Sequence, residues 1–193
     1  MNDLLFTNAR LIDPEAGTDA LGALLVREGR IMDHGQEVGL PGEDVTVVDC
    51  GGKCLAPGIV DLGVKVCEPG ERHKESYRSA GRAAAAGGVT TIVTRPDTAP
   101  AIDSPETLEF VTRRAQADSP VRVVPMAALT KGRAGQEMTE IGFLMDAGAV
   151  AFSDCDHVVA NTKVLSRALS YAGALGALVI GHPQEPGLSA GAA

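Results

Sequence analysis

The sequence predicts an α/β protein in which a small all-β unit, residues 1–55, precedes alternating strands and helices, residues 56–193. Three observations carry this. Up to Leu55 the apolar runs are short, Gly and Pro interrupt them often, and no 3.6-residue apolar period survives. From Pro57 onward strand-like and helix-like runs alternate, the pattern of parallel βα units. Hydrophobic residues make up 45% of the chain but aromatics only 3%, with no Trp, so Ala, Val, Leu and Ile must build the core.

In the β unit, Leu4-Leu5-Phe6 reads as a first strand. Asn8-Ala9-Arg10-Leu11-Ile12-Asp13-Pro14 reads as a turn, a second strand and a stop. Residues 23–31 form a hairpin turning at Glu28-Gly29. Residues 45–49 form another strand, and His34 falls in a turn remote from any chemistry.

Beyond Pro57 the first strand covers residues 58–66, and Glu68-Pro69-Gly70 breaks it into a loop. A helix over 74–86 stops at Gly87-Gly88. Residues 89–94 are a β-branched second strand. Asp103 or Ser104 caps a helix reaching about Ala117, with Pro105 in its first turn. A strand over 121–126, a helix over 137–146, a strand over 149–152, a helix over 162–174 and a strand over 178–180 follow. The chain then runs out in a Pro- and Gly-rich tail, residues 183–193. A (β/α)8 barrel takes about 250 residues. Five strands and four helices therefore fit either the N-terminal part of a barrel or a complete open sheet. Gly81 and Gly87-Gly88 sit in and after a helix, not before one, so no phosphate-binding signature supports a nucleotide-binding open sheet.

The net charge of −8, without a basic run, argues against nucleic acid or an anionic membrane as partner and fits ordinary solubility. Cys50 and Cys54 have zinc-like spacing, but no second Cys or His pair follows at finger distance; they read as small buried residues flanking a strand. Met1-Asn2-Asp3 opens into a strand, with no signal-peptide pattern or long apolar span. A cytoplasmic protein with reduced thiols is expected.

The most informative stretch is Asp61-Leu62-Gly63-Val64-Lys65-Val66-Cys67-Glu68-Pro69-Gly70. With Ala56-Pro57-Gly58-Ile59-Val60 before it and Lys74-Glu75 after it, this stretch resembles the first barrel strand of the dihydroorotases, cyclic amidohydrolases of pyrimidine synthesis. The resemblance extends over essentially the whole chain. Asn8 to Pro14 carries it in the β unit. Further on it rests on Arg82-Ala83-Ala84-Ala85-Ala86-Gly87-Gly88-Val89-Thr90-Thr91, Ala101 to Glu106, Leu129-Thr130-Lys131-Gly132 and Gly148 to Asp154, in family order. It implies the N-terminal part of a (β/α)8 TIM barrel preceded by a small all-β accessory unit, with family active-site groups at the C-terminal ends of barrel strands.

What the resemblance implies about the site is carried over position by position. Gly63 and Lys65 stand where the family has two zinc-binding histidines, and Cys67 where it has a substrate-binding Arg. Asp97, in Pro96-Asp97-Thr98, replaces an Asn that holds the substrate carboxylate. Cys155, after Phe152-Ser153-Asp154, replaces a ligand Asp, and His182 matches a ligand His. A glycine ligates nothing and a protonated lysine repels a cation. His182 is thus the one retained ligand-type residue, with Cys67 and Cys155 as candidate replacements converging with it near Asp154 and Asp156. Lys65 could fill the vacated metal space, pairing with Asp97 or Asp154, and Arg95 at the mouth could bind an anion or a neighbouring carboxylate. His73 and His157 read as solvated loop residues.

Two functions compete on this reading. In the first, the resemblance to non-catalytic dihydroorotase-like chains implies a scaffold or assembly subunit, with aspartate carbamoyltransferase or further copies of itself as partner and no metal cofactor. In the second, the chain is an active cyclic amidohydrolase whose zinc site uses altered ligands.

Overall fold

The computed structural model describes residues 3–39 and 44–189. Residues 1–2 of the opening strand and 190–193 of the expected tail lie outside the described residues. The chain divides at Pro57 into two compact units.

The first unit is a five-stranded sheet built from β1 (Asp3–Asp13), β2 (Thr18–Arg27), β3 (Arg30–Gly35), β4 (Val45–Asp49) and β5 (Cys54–Leu55). Its order is β3-β2-β1-β4, with β5 also on β1. The two strands expected between residues 4 and 14 are one. The expected turn at Asn8 is a bulge, with a register shift between Phe6 and Ala9 and φ of 51° at Asn8. Asn tolerates the left-handed region, and its amide donates to Asp49 at 3.0 Å, so the strand bends without ending. Glu28 and Gly29 both have positive φ, the geometry of a tight turn whose twist matches the paired strands, and Arg27 pairs with Arg30 across it. The hairpin runs further than the sequence suggested, so His34 lies in β3 opposite Leu24, not in a turn. Leu5, Ala9 and Leu25 form the small core of this unit. Cys50 is half-buried and Cys54 exposed, which corrects the expectation that both are buried packing residues.

The second unit starts at Gly58. The strands β6 (Ile59–Val64), β7 (Val89–Thr94) and β8 (Arg122–Pro125) form a parallel sheet in that order. Phe152 then bridges Ala127 on one side and Val179 on the other, both in parallel sense. The expected fourth and fifth strands are therefore present in their places as single bridges instead of full strands. Four backbone bonds hold them, Ala127 N to Ala151 O, Ser153 N to Ala127 O, Phe152 N to Leu178 O and Ile180 N to Phe152 O, each at 2.9 Å. The runs are too short, and Gly148 and Gly181 flank them too closely, for a longer ladder.

Helices α1 (Tyr77–Ala86), α2 (Pro105–Asp118), α3 (Ile141–Asp146), α4 (Thr162–Leu175) and the short α5 (Pro186–Ser189) complete the unit. Local chemistry sets their ends. Ser76 caps α1 in a reciprocal capping box with Ser79, so the helix begins later than the expected Lys74. Ser104 caps α2, with Pro105 as its first residue. Asn161 accepts from Lys163 and Val164 at the start of α4, and Gly176 ends it at φ 69°. α3 begins four residues later than the sequence suggested. Thr139 donates its amide to Leu129 O at 3.0 Å and its hydroxyl to Ala128 O at 2.8 Å, and Met138 bridges Thr130, so residues 137–140 are extended.

Helices and sheet enclose the main core, which includes Tyr77, Leu108, Val111, Leu129, Ile141, Leu144 and Phe152. The opposite face of the sheet carries a smaller cluster, Val93, Met126 and Ala151, with Val124 against it. Parallel strands bury both faces, so this two-sided pattern is the expected one.

Candidate functional site

The C-terminal ends of the parallel strands converge around Gly63. The register of β6 against β7 shifts between Leu62 and Val64, and Gly63 sits there at φ 83°. A Cβ added at Gly63 would meet no atom within 4 Å, but that backbone region disfavours any L residue. Arg95 donates its amide to Val64 O at 2.9 Å, which sets the chain leaving β7 across the end of β6.

Charged side chains lace this end together. Asp97 Oδ2 takes Lys65 Nζ at 3.1 Å and Arg95 Nη2 at 2.8 Å. Arg95 also lies 3.6 Å from Asp156, and Arg133 Nη2 lies 2.6 Å from the same carboxylate. Arg133 Nε donates to Asp154 O at 3.2 Å. The hydrogen bond and the charge of Asp97 raise the pKa of Lys65 and hold its ammonium protonated. Asp97 Oδ1 is buried without a protein partner.

A cavity of 310 Å³ opens beside this network, lined in part by Gly63, Arg95, Ser153, Cys155, Asp156 and His182. Cys155 adopts φ 57°, its amide donating to Ser153 Oγ at 2.9 Å. Burial raises the pKa of its thiol and favours the neutral form. The His182 ring is exposed and pairs with Gln184 Oε1 at 3.0 Å.

The structure thus brings three of the six candidate positions, Gly63, Cys155 and His182, to one cavity, and ties Lys65 and Asp97 to it through Arg95. Cys67 is not among the residues lining this cavity. Its strand has already turned into the loop that Glu71 N closes onto Cys67 O at 2.7 Å. Asp154 is committed elsewhere. Its carboxylate is buried and accepts from Leu129 N at 3.0 Å, Thr130 N at 2.9 Å and the Thr130 hydroxyl. The expectation that Lys65 pairs with Asp97 or Asp154 resolves to Asp97, and Arg95 pairs with carboxylates. His157 is exposed, its ring on Arg133 O at 2.9 Å. Among the described residues no group of three or more His, Cys, Asp or Glu could hold a metal ion.

One residue of the network, Arg133, and one buried carboxylate outside it, Glu68, escaped the sequence reading. Arg133 joins the network from a 3-10 turn, Lys131–Arg133, and nothing in its neighbourhood marks it apart from the adjoining Lys131-Gly132. Glu68, in the loop after β6, is buried and accepts from Tyr77 N at 3.3 Å and Arg114 Nε at 2.7 Å. Its partner lies 46 residues away, beyond the reach of any local pattern.

Comparison with known proteins decides the lineage. The dihydro-orotase-like family model matches residues 52–193. The chain belongs to this family. A dihydroorotase from Wolbachia sp. subsp. Drosophila simulans is 40% identical over 191 residues, covering 98% of this chain and 43% of that protein. One from Geobacter sp. strain M21 is 36% identical over 183 residues, 95% of this chain and again 43% of that protein. The chain therefore corresponds to the N-terminal portion of these dihydroorotases and spans less than half their length. The L-hydantoinase of Arthrobacter aurescens superposes with a TM-score of 0.78 at 22% identity, covering 94% of this chain and 41% of that one. The fold is accordingly that of the N-terminal part of an amidohydrolase TIM barrel. No helix among the described residues is long and apolar enough to cross a membrane.

Proposed function

We propose that this chain is a dihydroorotase-family protein of pyrimidine synthesis that has exchanged metal-dependent hydrolysis for a structural role. The ion pair between Lys65 and Asp97 carries this reading. At a position where the resemblance calls for a zinc-binding histidine there is a lysine, kept charged by a carboxylate 3.1 Å away. Amide hydrolysis on this scaffold needs a metal to activate water and polarise the carbonyl.

The donor chemistry does not fit zinc. Gly63 offers no atom, Lys65 has no lone pair while protonated, and Cys155 is held as a neutral thiol by burial. Of these positions His182 alone offers an imidazole, and one ligand does not hold zinc tightly. Asp97, in place of an amide donor, repels a substrate carboxylate. As partners for an assembly subunit we propose aspartate carbamoyltransferase or further copies of the chain, and a cytoplasmic location.

A second reading has one observation in its favour: Cys155, Asp156 and His182 border the same cavity. An altered metal centre there would make the chain an active cyclic amidohydrolase. Zinc titration of the purified chain separates the two. The structural reading expects less than one equivalent retained after dialysis and co-sedimentation with purified aspartate carbamoyltransferase or with itself. One tightly held equivalent, lost in Cys155→Ser and His182→Ala, favours the second reading.

A further inference from the structure

We infer that the seam between α1 and α2 is a docking face for an acidic segment of a second protein. This gives the assembly role proposed above a contact surface, and rests on that reading for the partner's identity alone.

The seam holds more cations than its buried carboxylates need. α1 lies close against the end of α2, where a Cβ at Gly81 would meet Ser119 Oγ at 2.4 Å. Two carboxylates are buried here, Glu68 and Asp118, with side chains 5% and 8% exposed. Arg114 serves both, its Nε 2.7 Å from Glu68 and its Nη2 2.8 Å from Asp118. Arg78 adds a second cation, its Nη2 3.2 Å from Asp118. These two arginines already balance the two buried charges. Arg72 repeats both contacts at longer range, 3.4 Å from Glu68 and 3.8 Å from Asp118, with its side chain 60% exposed. Its charge is surplus. Arg82 is exposed too, and follows Arg78 by four residues, so it stands on the same face of α1 one turn along.

The surplus is regional. Residues 68–82 and 110–118 carry six Lys and Arg against four carboxylates, on a chain whose net charge is −8. The buried carboxylates hold Arg78 and Arg114 in place, so little side-chain freedom is lost when a further anion arrives. Guanidinium forks match carboxylate geometry. Phe110 completes the face. It is 46% exposed and lies one turn before Arg114 on α2, so an apolar ring is offered beside the cations.

These features select the occupant. The cations span a loop, two helices and about 6 Å along α1, with the ring beside them, which suits a segment of chain more than one small anion. A two-fold contact between copies centred here would set the face on itself, like charge against like. The occupant is therefore a segment of another protein, with carboxylates for Arg72 and Arg82 and an apolar side chain for Phe110.

Fluorescence anisotropy of a labelled peptide of alternating glutamate and leucine reads the face directly, at about 10 mM salt where exposed charges are least screened. Binding is expected, weakened on the order of 10-fold in Arg72→Gln with Arg82→Gln and again in Phe110→Ser. All three residues are exposed, so circular dichroism should show the parent fold. Lys163→Gln with Arg167→Gln removes the same charge from exposed positions of α4 and should bind as the parent does. No binding, or equal loss in the α4 variant, overturns the inference. Inorganic phosphate that binds the seam more tightly than the peptide assigns it to a small anion and also overturns it. Co-sedimentation with purified aspartate carbamoyltransferase separates the two proposals. Binding lost in the seam variants supports both. Binding unchanged in them leaves the assembly reading standing and overturns this one. Peptide binding without binding of that enzyme keeps the docking face and overturns that partner.

Discussion

Lys65 Nζ stands 3.1 Å from Oδ2 of Asp97, a carboxylate whose side chain is 2% exposed although the lysine is half exposed. The pair is asymmetric. Asp97 needs compensation because it is buried, and Arg95 supplies a second cation to the same oxygen at 2.8 Å. Lys65 can return to water. Removing one or the other cation should therefore have unequal effects.

Lys65→Met is expected to cost no more than about 1 kcal/mol, since an exposed cation gains little from pairing. Arg95→Met should cost about 2–4 kcal/mol, because it leaves buried Asp97 with one solvent-screened partner. Denaturant unfolding of both variants checks the order. Equal losses would contradict it.

The same pair sets a pH dependence. The folded pKa of Lys65 lies above its unfolded value, so its stabilisation is complete below the ordinary lysine range and fades as pH rises through the folded value. Wild type and Lys65→Met should differ by a constant amount at neutral pH and converge only above about pH 10.4. Convergence near neutrality would show that Asp97 is not its partner.

Gly63→His places a side chain on a backbone that does not suit it. At φ 83° a non-glycine residue costs about 1–3 kcal/mol, so the variant should melt earlier than its parent. Gly63→His with Lys65→His should still lack dihydroorotate hydrolysis, because Cys67, Asp97 and Cys155 remain. Turnover in that double variant would show that the two positions alone decide activity.

Asp154→Ala removes the acceptor of two backbone amides and a buried hydroxyl, and should cost about 2–4 kcal/mol. Thermal melting reads it. A neutral effect would return Asp154 to the list of groups free for chemistry.

Much of this architecture was legible in the sequence because local rules govern it. Residues 45–49 and 89–94 are strands as the β-branched runs indicated, and Ser104 with Pro105 marked the start of α2. The misses have nonlocal causes. Asn8 looked like a turn because its left-handed preference is shared by turns and bulges. Residues 137–140 looked helical until Leu129 and Thr130 claimed them as extended chain. At the site, charge and the positions implied by the resemblance left Lys65 to pair with Asp97 or Asp154, and the fold selects Asp97. The commitment of Asp154 to Thr130, and the entry of Arg133, depended on loops whose paths no sequence period encodes.

We propose that the scaffold remains while its metal-dependent chemistry is gone. Dihydroorotate hydrolysis by the purified chain, assayed with zinc supplied and then with chelator, tests it most directly. No turnover above the uncatalysed rate is expected under either condition. Zinc-dependent turnover abolished by chelator would contradict it.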